Sequence, residues 1–133
     1  YEKEPQAARA TPQQIEAALF GNPPAAECVI ARLDGEPAGF ALWFQTFSTW
    51  TGQPGMWLED LFVLPHLRRR GVGTALLRYL ARVCLERNYG RFEWAVLDWN
   101  TPARQFYRRL GAETMDEWTT HRLSGEALHR LAE

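Results

Sequence analysis

Apolar and polar positions follow two rhythms along this chain. Glu27–Leu33 and residues 38–47 are short apolar runs, partly β-branched, on either side of Asp34-Gly35, a pair suited to a tight turn, which predicts a β-hairpin. Residues 57–64 form another apolar run interrupted only by Glu59 and Asp60, as expected of a strand inside a sheet. Beyond Pro65 the rhythm changes: Leu76, Leu80, Val83 and Cys84 recur at i, i+4, i+7 and i+8, one face of a helix. Residues 92–97 predict a further strand. Asn100, Thr101 and Pro102 then open a helix that turns Ala103, Phe106, Tyr107 and Leu110 inward and stops at Gly111. Residues 118–123 predict a last strand, and Ser124 caps a final helix to Leu131. Near the start, Thr11, Pro12 and Gln14 carry the signature of a helix that runs to Phe20 and closes at Gly21. A hairpin followed by strand and helix in alternation predicts a mixed α/β (α+β) fold, a central sheet flanked by helices.

With 133 residues, 46% of them hydrophobic, the chain suits one domain, residues 1–133. Fifteen basic and sixteen acidic residues leave a net charge of -1, so the overall field favours neither nucleic acid nor an anionic membrane. Any cationic footprint is local. Cys28 and Cys84 are far apart and form no CxxC pair, which predicts no disulfide framework and a reducing, cytoplasmic setting. His66, His121 and His129 share no metal-ligand spacing with each other or with the cysteines, so no metal is expected. The opening five residues, from Tyr1, read as the tail of a helix, which predicts a piece of chain upstream.

The local cationic feature is Arg68-Arg69-Arg70-Gly71-Val72-Gly73-Thr74, between a predicted strand and a predicted helix. Free N–H groups and the helix dipole make such a junction a site for phosphate, and glycine lets the main chain approach closely. The Gly-Lys-Ser/Thr of a P-loop is absent, and Leu76 stands where a dinucleotide fingerprint needs Gly or Ala. The remaining pattern, Arg-x-x-Gly-x-Gly, resembles the pyrophosphate loop of the GNAT superfamily of N-acetyltransferases. Asn100 through Ala112, with Tyr107 seven residues after Asn100, is similar to that family's second motif. Leu58-Glu59-Asp60 resembles the triplet that opens the catalytic strand in its diamine (spermidine/spermine) and thialysine acetyltransferase branch.

The resemblance implies acetyl transfer from acetyl-CoA to a primary amine by direct attack, in a soluble homodimer. It implies that Arg68, Arg69, Arg70, Gly71, Val72, Gly73 and Thr74 hold the pyrophosphate. The pantetheine arm would lie against Leu61, Phe62 and Val63, with Asn100, Ala103 and Tyr107 completing the cofactor site. Tyr107 becomes the general acid for the leaving thiolate, since a phenol of reference pKa about 10 can protonate a thiolate of about 8.5. Glu59 becomes the base toward the amine. Strand alternation sends Glu59 and Asp60 to opposite faces unless a bulge re-aims one of them; the alternative role for Glu59 is structural, holding such a bulge or an arginine. Glu2, Trp50, Asp60 and Trp94 complete the candidate substrate residues, with Glu4 beside Glu2. The acceptor the resemblance implies is a polyamine, a thialysine- or lysine-like molecule or a related amine; Ser48 stands where the branch has an acidic residue, which weakens the case for a long polycation and leaves room for a lysine-like or shorter amine. The family's first strand and most of its first helix have no counterpart here. An idle acyl-CoA-binding module of the same fold is the rival expectation.

Overall fold

A computed structural model describes residues 9–133; Glu2 and Glu4 lie outside the described residues. The chain divides into two compact units, one ending at Ala95 and the other spanning Val96–Glu133.

The first unit is a four-stranded sheet in the order β1-β2-β3-β4, with β1 Glu27–Leu33, β2 Glu36–Ser48, β3 Gln53–Val63 and β4 Phe92–Glu93. The first three strands are antiparallel neighbours, and β4 runs parallel to β3. The predicted hairpin is present, and its turn carries positive φ at both Asp34 and Gly35 (53° and 82°), the twist that suits a two-residue connection. Helix α1, Pro12–Phe20, opens with the expected reciprocal cap: Gln14 N donates to Thr11 Oγ1 at 3.2 Å and Thr11 N to Gln14 Oε1 at 2.9 Å.

Helix α2, Val72–Glu86, buries the stripe Val72, Leu76, Leu77, Leu80, Val83 and Cys84. It meets one face of the sheet, whose buried members are Ala38, Ala41, Trp43, Met56 and Leu58. Leu80 and Met56 are fully enclosed, and Cys84 Sγ lies 3.9 Å from Met56 Sδ. Enclosing a side chain of that size contributes about 1.5–3 kcal/mol, so this layer holds the unit together.

The far end of α2 is tied to the sheet by Arg87, which donates to both carboxylate oxygens of Glu27 at 2.6 and 2.9 Å. Arg87 also reaches Tyr89, whose hydroxyl donates to Gln45 at 3.2 Å. The hydrogen bond from Arg87 holds the Glu27 carboxyl below its ordinary value despite the opposing effect of burial. A lowered folded-state pKa stabilises the fold above the unfolded pKa, about 4.3, and the gain is lost as pH falls through the folded value. Both side chains are about 40% exposed, so solvent screening confines the effect to a few tenths up to ~1 kcal/mol. Glu27→Gln should therefore lower the denaturation midpoint slightly at pH 7, and the difference from wild type should shrink steadily as pH is taken below about 4; a difference that grows with acidification contradicts this account.

The second unit contains α3, Thr101–Arg109, and α4, Gly125–Ala132. Asn100 caps α3 by accepting from Ala103 N at 3.4 Å, and Gly111 ends it with φ 97°. Two expected strands differ from the sequence reading. The run 92–97 is paired only at Phe92 and Glu93, because the ladder with β3 stops at Trp57, just before β3 bulges. Residues 118–123 form no strand: Trp118 N bonds locally to Met115 O, and Trp118 is 70% exposed. A run with strand-like composition becomes a strand only where a second main chain meets it. Ser124 does precede α4, but its side chain makes no capping bond, and Gly125 enters the helix at φ 57°. Among the described residues no helix is long and apolar enough to cross a membrane.

Candidate active site

The two strand carboxylates owe their placement to register. Leu58 pairs with Trp43 and Asp60 with Leu42, so Glu59 is the extra residue of a β-bulge. Leu58 faces α2 with Trp43; alternation then puts Glu59 on the opposite face, and the bulge brings Asp60 to that face too, beside Leu42. Both carboxylates are exposed, as charged groups in an apolar strand must be unless paired. The bulge thus removes the restriction that only one of them could serve the same face. Asp60 shares a cross-strand row with Leu42 and Cys28, and the Cys28 thiol is pushed up by partial burial first and by the Asp60 charge second.

Just before the bulge β3 loses one of its two partners. Met56 N donates to Arg91 O at 2.9 Å and Trp57 pairs with Glu93; farther along, among the described residues, β3 pairs with β2 alone. The edge of Leu61, Phe62 and Val63 that faces away from β2 is therefore outside any strand ladder. An extended ligand carrying amides can add to such an edge as a further strand would.

Past β3 the chain makes one 3-10 turn, Pro65–Leu67, and then the arginine-glycine loop. Arg69 and Gly71 both adopt positive φ, 68° and 83°. Gly71 is the N-cap of α2 and has no capping side chain; the first bond into the helix is Ala75 N to Gly71 O at 3.0 Å. The N–H groups of Val72, Gly73 and Thr74 consequently have no partner within the helix, and they stand at the positive end of a 15-residue dipole. A Cβ at Gly71 would meet nothing within 4 Å, so glycine is required there by its backbone angle and by what it leaves open. Arg69 and Arg70 are exposed. Arg68 is turned back instead: its Nε donates to Val63 O at 3.1 Å, and its guanidinium lies 5.9 Å from the Phe62 ring, bracing the end of β3. The donor set suits a diphosphate, and the unladdered edge beside it suits an amide-bearing arm.

In the second unit, Asn100 and Tyr107 occupy the cap and the last turn of α3, with Ala103 half-buried between them. The Tyr107 ring is half-buried 5.5 Å from that of Phe106.

Trp50 is 83% exposed at the tip of the loop joining β2 and β3. Ser48, in place of a carboxylate, organises that loop: its Oγ accepts from Trp50 N at 3.2 Å and from Thr51 N at 3.3 Å. Trp94 packs edge-on against Phe92, with ring centroids 5.0 Å apart. The sequence reading missed a cavity of about 220 Å³ beneath this loop, lined among others by Thr46, Trp50, Thr51, Gly55, Arg91 and Glu93. The spacing of 91 and 93 along a strand was the available signal, since alternation aims both one way; the cavity itself comes from the neighbouring hairpin. Among the described residues no three His, Cys, Asp or Glu side chains gather as a metal site would need.

Residues 1–112 match the profile of the acetyltransferase (GNAT) family. The chain is 35% identical over 143 aligned positions to the thialysine N-epsilon-acetyltransferase of Sus scrofa, covering 99% of this chain and 84% of that protein. Among solved structures, an integron cassette protein from the mobile metagenome of V. cholerae superposes with a TM-score of 0.79 at 27% identity, covering 93% of this chain and 79% of the other. An aminoglycoside N-acetyltransferase in complex with CoA superposes with a TM-score of 0.63 at 27% identity, covering 74% of this chain and 75% of that one.

Proposed function

Because the chain belongs to the GNAT acetyltransferase family, we propose that it transfers the acetyl group of acetyl-CoA to a primary amine of a small, lysine-like molecule by direct attack. The observation that carries this reading is the bulge at Glu59, which turns two solvent-accessible carboxylates to one sheet face beside the unladdered edge of β3. A carboxylate there attracts an ammonium group and can take its proton, directly or through water.

In the proposed reaction the neutral nitrogen forms a bond to the thioester carbonyl carbon, and the oxyanion accepts from a main-chain N–H near Leu61. The C–S bond then breaks, Tyr107 gives its hydroxyl proton to the sulfur, and the nitrogen gives its extra proton through water to the Tyr107 phenolate as the amide forms, while Glu59 returns the ammonium proton to solvent. Val72, Gly73 and Thr74 hold the pyrophosphate through main-chain N–H groups, with Arg69 and Arg70 adding charge. Main-chain groups of Leu61 and Val63 pair with the amides of the arm, and Asn100 and Ala103 contribute from the cap of α3. Trp50 and Asp60 belong to the amine side. No acyl-enzyme is involved: burial, the leading cause in each case, pushes both the Cys28 and the Cys84 thiols up, away from the thiolate a nucleophile needs.

The enzyme is taken to work as a single domain in the cytoplasm and as a homodimer. Trp118, Leu123, Leu128 and Leu131, all at least half exposed, offer the apolar surface such a pairing uses. The decisive experiment is rapid mixing of the protein with acetyl-CoA and a panel of polyamines, lysine analogues and short amines, reading the free thiol of CoA. Release with at least one amine at a rate far above hydrolysis is expected. Tight acetyl-CoA binding with no release by any amine would assign the chain to the idle acyl-CoA-binding class instead.

A further inference from the structure

Strands β3 and β4 run together briefly and then part, and large apolar side chains wall the closed end of the gap between them. Met56 pairs with Phe92 and Trp57 with Glu93; one step farther Leu58 would stand across from Trp94, but the ladder has ended. Leu58 is 5% exposed on the face that α2 covers. Trp94 shares that face, because strand alternation gives it the side of Phe92, and its half-buried ring meets the Phe92 ring edge-on with centroids 5.0 Å apart. Phe92 thus holds the indole in place. Glu59 and Asp60 turn to the other face, so an apolar chain reaching this point is directed away from them, toward Leu58 and Trp94.

The order of a ligand along β3 follows from the two ends of the gap. Its open end lies toward the arginine-glycine loop, which comes after Val63. Leu64 N donates to Ala38 O at 2.9 Å, so alternation turns the main-chain N–H groups of Leu61 and Val63 outward, where amides of an arm can meet them. An arm that starts at the loop and pairs along Val63 and Leu61 delivers its thioester beside Glu59 and aims the acyl tail at the closed end. From Leu61 to Leu58 is about 9–10 Å at the usual strand rise. From the last amide nitrogen of the arm to the methyl of an acetyl thioester is about 6–7 Å by ordinary bond lengths. The difference leaves room for about one or two further methylene groups.

From this arrangement, and resting on the acetyl transfer proposed above, we infer that Trp94 sets the longest acyl group the enzyme accepts: its indole, with Leu58, closes the gap just beyond the acetyl methyl. The sequence reading set Trp94 among the amine residues; the face it occupies assigns it to the acyl group instead.

The test is a chain-length series of CoA and acetyl-, propionyl-, butyryl- and hexanoyl-CoA, with binding measured by calorimetry in the absence of amine and turnover by CoA release to an amine. Wild type should bind acetyl-CoA about tenfold to a hundredfold more tightly than butyryl- or hexanoyl-CoA, the usual cost of forcing methylenes into filled space, and kcat/KM should fall in step. Trp94→Leu should bring butyryl-CoA to within about threefold of acetyl-CoA, while the affinity for CoA itself, which has no acyl tail, stays as in wild type. Trp94→Phe, which keeps an aromatic ring against Phe92, should move the limit part of the way, and it carries the test if the leucine variant does not fold. Equal affinity of the wild type for all chain lengths, or a preference that the folded variants leave in place, overturns the inference while amine acetylation stands. So does a loss of affinity for CoA and every acyl-CoA alike, the mark of a structural role. A chain-length limit in binding that Trp94→Leu relaxes, with no release to any amine, upholds the wall and removes the transfer reading alone.

Discussion

Glu59→Gln should lower kcat/KM for the amine by about a hundredfold to a thousandfold at neutral pH, within the range that a positioned base supplies. The reason is the protonation state of the nucleophile. An alkylamine of reference pKa near 10.4 is only about one part in a few thousand uncharged at pH 7, so an enzyme without a base must wait for the rare neutral molecule. The deficit should accordingly shrink as pH rises toward the amine's own pKa, giving the variant a steeper pH-rate profile than wild type. Glu59 is exposed at its bulge, so the fold should tolerate the change; an unaltered melting temperature would separate lost chemistry from lost structure. A variant that keeps the wild-type rate and profile would return Glu59 to the structural role of filling a bulge.

Tyr107→Phe should reduce kcat by about tenfold to a hundredfold with little change in affinity for CoA. The substitution keeps the ring and its packing beside Phe106 and removes only the hydroxyl. Without a donor the sulfur must leave as a thiolate, whose reference pKa of about 8.5 makes the unassisted departure uphill at pH 7. Calorimetry with CoA and a steady-state rate on the same preparation distinguish the possibilities: a weakened affinity with an unchanged kcat would make Tyr107 a binding residue and remove it from proton transfer.

The division between Glu59 and Asp60 shows why part of this site was legible before any coordinates and part was not. Sequence identified the two adjacent carboxylates as the anomaly of an apolar strand. Whether they share a face depends on Trp43 and Leu42 in the neighbouring strand, where two residues of β3 meet a one-residue step of β2. The same contrast holds for Arg91 and Glu93: their spacing is written in the chain, but the cavity exists because Thr46, Trp50 and Gly55 of the adjoining hairpin stand around them.

Local rules therefore account for the elements that form within a few residues of themselves. The reciprocal cap at Thr11 and Gln14, the turn at Asp34-Gly35, the apolar stripe of α2 and the glycine that opens its N-terminus all depend on near neighbours in sequence, and all were predicted. Pairing between strands was decided elsewhere. It cut the run 92–97 to two paired residues, left 118–123 without a ladder, and set the bulge in β3. A helix satisfies its own main chain, whereas a strand's hydrogen bonds belong to a partner distant in sequence, so only the folded chain determined where each ladder ends and which side chains meet there.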